Sequence, residues 1–109
     1  MIRITPVAFV LVLLVAPFAS AQSPVEKGKA VYADQKCSVC HSIGGVGNKK
    51  GPLDEVGKLS AADLRSWITN APDMAAKAKS DRKPPMKAYT ALAKEDVDGL
   101  VAYMATLKK

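Results

Sequence analysis

The chain has 109 residues, 16 Lys and Arg against 10 Asp and Glu for a formal charge of +6, and only two Cys, one His and one Trp. That length limits it to one small domain. The scarcity of His and Cys leaves few places for metal or thiol chemistry.

Residues 7–16 form an uninterrupted apolar run, preceded by Arg3 as the only charge and followed by Pro17-Phe18 and the small residues Ala19-Ser20-Ala21. This is the pattern of a secretory signal peptide over residues 1–21, cleaved after Ala21. The run is too short for the roughly 20 residues of a membrane-spanning helix. Residues 22–109 are then the mature domain, exported to the periplasm, with no membrane span and a formal charge of +5 once Arg3 is removed. A domain this small commonly needs a metal, a cofactor or disulfides to complete its core.

Ser23-Pro24-Val25-Glu26 has the signature of a helix start, with Ser as N-cap, Pro at the first position and Glu in the capping-box position. The helix is expected to run to about Lys36. Gly28 and Tyr32 share one face, and a helix-interior Gly, which costs about 1 kcal/mol relative to Ala, points to a close helix crossing.

Cys37-Ser38-Val39-Cys40-His41 brings both cysteines and the sole histidine into five residues. This is the CxxCH pattern of haem c attachment. Two thiols three positions apart can each add to one haem vinyl group, and the adjacent imidazole is a strong nitrogen ligand for the iron. A disulfide or thiol-redox motif competes, but leaves His41 without a role and has no βαβ pattern around it. A structural zinc site takes four ligands, and the motif supplies three.

The stretch from Ile43 to Leu53, rich in glycine at Gly44, Gly45, Gly47 and Gly51, shows no periodicity and is expected to be a loop around the haem edge. It lacks the GK[ST] of a phosphate cradle. Ser60 opens a helix bearing Leu64, Trp67 and Ile68 on its apolar side, which stops at Asn70-Ala71-Pro72. A short helical piece is expected from Asp73 to Lys79. From about Lys94 to Lys108, Val97, Leu100, Val101, Met104 and Leu107 recur at helical spacing. Leu100 and Tyr103 are expected to fill the notch at Gly28. With no alternating apolar run, the mature domain is expected to be all-α.

The order of CxxCH, Gly51-Pro52-Leu53, a Trp-bearing helix, Pro84-Pro85-Met86 and a Tyr-bearing terminal helix resembles a class I c-type cytochrome, over essentially Val25 to Leu107. The resemblance implies the cytochrome c fold: three main helices and short helical segments around one covalently bound haem c, with the terminal helices crossed. Of the methionines in the mature chain, Met74 and Met104 suit core packing, whereas Met86 follows two prolines in a stiff segment suited to aiming a thioether. The resemblance makes Met86 the axial partner of His41, with Met74 or Lys83 as alternatives. It also implies that the Pro52 carbonyl accepts from His41 Nδ1 and that Trp67 lies near a haem propionate, although a buried aromatic is an equally good account of Trp67. Ala93, where such proteins commonly have Ser or Thr before the last helix, cannot cap.

No nucleophile or acid–base pair points to substrate turnover, and the expected activity is electron transfer by a monomer. Lys77, Lys79, Arg82, Lys83 and Lys87 crowd the Met86 segment against the single acid Asp81, and Lys49 and Lys50 follow the haem motif. These charges would steer the domain towards redox partners with acidic docking surfaces. An exported chain without a nucleic-acid motif argues against nucleic acid as the partner. Two other functions remain: a haem subunit docked to a dehydrogenase or oxidase, and a small-ligand binder or weak peroxidase with a labile Met ligand.

Overall fold

The computed structural model describes residues 10, 12 and 23–108. The expected signal peptide and its cleavage after Ala21 lie outside the described residues, apart from exposed Val10 and Val12. No helix among the described residues is long and apolar enough to cross a membrane.

The first helix, α1, spans Pro24–Asp34, and Ser23 caps it in extended geometry by accepting from the Glu26 N–H over 3.2 Å. It ends before the expected Lys36. Gln35 closes it by donating to the Val31 carbonyl, and Lys36 turns into the left-handed region at φ 55°. That turn leads the chain off the helix axis into the single 3-10 turn Cys37–Val39.

The glycine-rich stretch contains more order than its composition suggests. Strands β1 (Ser42–Ile43) and β2 (Val46–Gly47) pair antiparallel, with Ser42 opposite Gly47 and Ile43 opposite Val46. Gly44 and Gly45 form the two-residue connection at φ 58° and 82°, the positive pair that a type I′ hairpin turn requires. The fold is therefore mostly helical with one very small sheet. Two-residue strands are too short to show a period-2 pattern, so only the Gly-Gly pair signals the hairpin.

After a second 3-10 turn, Val56–Lys58, α2 covers Ala61–Thr69 with Ser60 as its cap, accepting from the Asp63 N–H over 3.1 Å. Helix α3 spans Ala71–Lys77, starting earlier than the expected Asp73 because Pro72 is tolerated in a first turn. Helix α4 spans Lys94–Ala105, and Ala93, in N-cap geometry, gives it no side-chain hydrogen bond.

The terminal helices cross. A Cβ on Gly28 would run into the Gly99 carbonyl and lie 2.7 Å from Tyr103 Cβ. The notch is thus filled by Gly99 and Tyr103, not by Leu100 as expected, because the helices approach closely enough for backbone to meet backbone. Leu100 turns instead into the core with Val31, Leu64, Ile68, Val97, Val101 and Met104. Tyr32 and Tyr103 stack edge to face beside the crossing, centroids 6.0 Å apart, a favoured arrangement of aromatic quadrupoles. Lys27–Asp96 at 3.6 Å and Arg65–Asp98 join helices across the surface.

Candidate functional site

Helices α1, α2 and α4 leave a mostly apolar cavity of about 800 Å³ beside the core. Cys37, Cys40, His41, Trp67 and Met86, which the sequence singles out, all line it. The left-handed turn at Lys36 brings the first three to one wall. Leu53, Leu64, Ile68, Leu100 and Met104 supply apolar surface. Of the side chains weighed as iron ligands, Met86 and Met104 border the cavity; Met74 and Lys83 do not.

Pro52 does not have the expected contact. His41 Nδ1 donates to the carbonyl oxygen of Gly51 over 3.0 Å. The reason lies in the main chain: Ser42 forms a parallel bridge with Pro52, donating to the Gly51 carbonyl over 3.1 Å and accepting from the Leu53 N–H over 2.8 Å. Gly51 and Leu53 therefore turn their bonding groups towards the CxxCH loop, whereas Pro52 between them does not. A carbonyl can only accept, so the bond places the ring proton on Nδ1 and leaves the Nε2 lone pair free. Fixing a ligating His through its other nitrogen is a general device of metal sites.

Burial lowers the His41 pKa below the ordinary value for an imidazole; the Gly51 hydrogen bond opposes this and the Arg82 charge adds to it. The ring is thereby kept neutral, as a metal ligand must be. Burial also raises the pKa of the Cys37 thiol, with its backbone hydrogen bond opposing and Cys40 adding. Cys37 and Cys40 are not joined by a disulfide. Among the described residues, no group of three or more His, Cys, Asp or Glu is arranged to hold a metal ion, so the zinc alternative has no donor set.

The residues fit a haem. The cavity lies within the size range of cofactor pockets, about 300–1,000 Å³, and is walled by apolar side chains with two thiols, one oriented imidazole and thioethers at its border. Tyr32 lines it too, and its hydroxyl is buried with no hydrogen-bond partner among the described residues. An orphaned donor costs about 1–3 kcal/mol, in keeping with a wall that a further group completes.

The model of the cytochrome c family matches residues 25–108. The chain belongs to the cytochrome c family. Cytochrome c oxidase subunit 2 of Alkalihalophilus pseudofirmus is 30% identical over 104 residues, covering 83% of this chain. The chain spans 29% of the length of that relative. No solved structure matches.

Arg82 is the cavity-lining residue that sequence reasoning undervalued. Read from the sequence as one of several surface charges, it is half-buried, lines the cavity and donates to the Cys40 carbonyl. No local pattern marks it, since its partner is 42 residues away.

Proposed function

We propose that this cytochrome c is an exported, monohaem electron shuttle whose haem is attached through Cys37 and Cys40 and ligated by His41 and Met86. The observation that carries this reading is the convergence of both thiols, the Nδ1-anchored imidazole and the Met86 side chain on one apolar cavity. Haem bound there supplies a one-electron ferric/ferrous couple. Cys37 and Cys40 would hold it through thioether bonds, each S–H adding across one vinyl group to give a C–S and a C–H bond with no oxidant needed. His41 would ligate the iron through Nε2, with the Gly51 carbonyl keeping the ring from rotating.

Met86 supplies a thioether from a segment that two prolines stiffen, and His/Met ligation raises the potential relative to bis-His. With His41 and Met86 both supplied by the protein, neither ligand would have to be gained or lost when the iron changes oxidation state. Leu53, Leu64, Ile68 and Leu100 exclude water from the couple. The exposed Lys49, Lys50, Lys83 and Lys87 form the charge that steers acidic redox partners in the periplasm.

A second reading is favoured by one observation. The 30% identity to a cytochrome c oxidase subunit supports a domain that works docked to an oxidase rather than diffusing. Voltammetry and size-exclusion chromatography of the holoprotein separate the two readings. A free shuttle gives a reversible one-electron wave from a monomer that purifies alone. A docked subunit co-purifies with its oxidase in stoichiometric amounts.

A further inference from the structure

The segment that carries Met86 has little main-chain support. Among the described residues, no backbone–backbone hydrogen bond involves residues 81–88, and Pro84 and Pro85 have no N–H to give. The chain is fastened before this interval where the Ser80 N–H donates to the Ala75 carbonyl over 2.9 Å, and after it where the Tyr89 N–H donates to Ile68 over 2.9 Å. Within it, Arg82 makes the one long-range hydrogen bond found among the described residues, from Nη2 to the carbonyl oxygen of Cys40.

The same guanidinium lies on Gly51, where a Cβ would come within 2.6 Å of Arg82 Cζ. Gly51 is the residue whose carbonyl anchors His41. Arg82 therefore touches the backbone immediately before His41 and the peptide that orients the His41 ring, from a position four residues before Met86. A planar guanidinium can lie flat on a glycine while donating from its edge, which an ammonium cannot.

We infer that Arg82 is a positioning residue: seated on Gly51 and bonded to Cys40, it straps the unsupported Met86 segment to the loop that holds His41. Gly51 is then glycine because the strap and the Cys40 carbonyl together occupy the space of a side chain. The inference rests on Met86 being an iron ligand.

The test is titration of the ferric holoprotein with imidazole, which competes with a thioether for iron, alongside the weak red-edge ferric band that reports Met–iron ligation. Arg82→Gln is expected to raise imidazole affinity about tenfold, the factor equivalent to ~1.4 kcal/mol, because a freed segment releases Met86 more often. Arg82→Lys, which keeps the charge and loses the fork, is expected to fall between wild type and Arg82→Gln. Gly51→Ala, whose Cβ would meet both the Arg82 guanidinium and the Cys40 carbonyl, should act in the same direction. Should Gly51→Ala fail to fold, the two Arg82 variants decide the matter alone.

Unchanged imidazole affinity in Arg82→Gln, with the red-edge band abolished by Met86→Ala, overturns the strap and leaves the ligand assignment standing. A red-edge band that survives Met86→Ala overturns both.

Discussion

Gly28 and Gly99 meet backbone to backbone where α1 crosses α4: a Cβ on Gly28 would strike the Gly99 carbonyl, and one on Gly99 would lie 3.0 Å from the Gly28 nitrogen. Helix propensity favours Ala over Gly by about 1 kcal/mol, but overpacking a close contact costs about 1–3 kcal/mol. Gly28→Ala is therefore expected to destabilise by about 1–3 kcal/mol, read as a lowered denaturant midpoint with an unchanged slope. Gly99→Ala meets looser neighbours, at 3.0 to 3.3 Å, and should cost less. A Gly28→Ala protein as stable as wild type would mean the helices do not cross this closely.

Helix α4 starts without a side-chain cap. Ala93 has φ −59° and ψ 151°, the extended geometry in which Ser23 and Ser60 cap their own helices. Ala93→Ser is expected to stabilise by about 0.5–1 kcal/mol, and Ser60→Ala to destabilise by about 1 kcal/mol. Denaturant unfolding of both variants checks the pair, and the same sign for both would contradict the cap geometry.

Acid sensitivity has an identifiable contributor. The Arg65 hydrogen bond holds the Asp98 carboxyl below its ordinary pKa; desolvation, the next-largest effect, opposes it, and the Lys94 and Arg65 charges add to the lowering. A carboxylate depressed in the folded state stabilises fully above its unfolded value, about 3.9, and that stability is lost as pH falls through the lower folded value. Asp98→Asn is therefore expected to flatten part of the acid limb of stability against pH while leaving the slope near neutral pH alone. An acid limb identical to wild type would show that the Arg65–Asp98 pair contributes nothing.

Electron transfer to an acidic acceptor should slow as salt rises, since the screening length falls to about 10 Å at 0.1 M ionic strength. Lys83→Glu with Lys87→Glu should lower the association rate at low salt and weaken its salt dependence. Stopped-flow rates that stay flat across ionic strength would remove the exposed lysines from the docking account.

Much of this molecule can be read from its sequence, for reasons visible in particular residues. Ser23 and Ser60 mark helix starts because capping is a local interaction three residues long. Cys37, Cys40 and His41 stand out in the sequence because the CxxCH spacing matches what a haem edge would require. The type I′ hairpin at Gly44-Gly45 is hidden because its strands are two residues long. Gly51, rather than Pro52, receives His41 because a parallel bridge at Ser42 decides which carbonyl turns inward, and that bridge is tertiary. Gly99 takes the notch expected for Leu100 because helix rotation about the crossing is set by packing as well as by periodicity. Arg82 is legible only once residues 40, 51 and 82 are brought together.

The central claim is that Met86 completes the coordination that His41 begins. Absorption spectroscopy of the ferric holoprotein through alanine variants at Met74, Met86 and Met104 tests it most directly, because the red-edge band requires a thioether on the iron. The band is expected to vanish in Met86→Ala and to persist in Met74→Ala and Met104→Ala. Its persistence in Met86→Ala, or its loss in Met104→Ala alone, would contradict the claim.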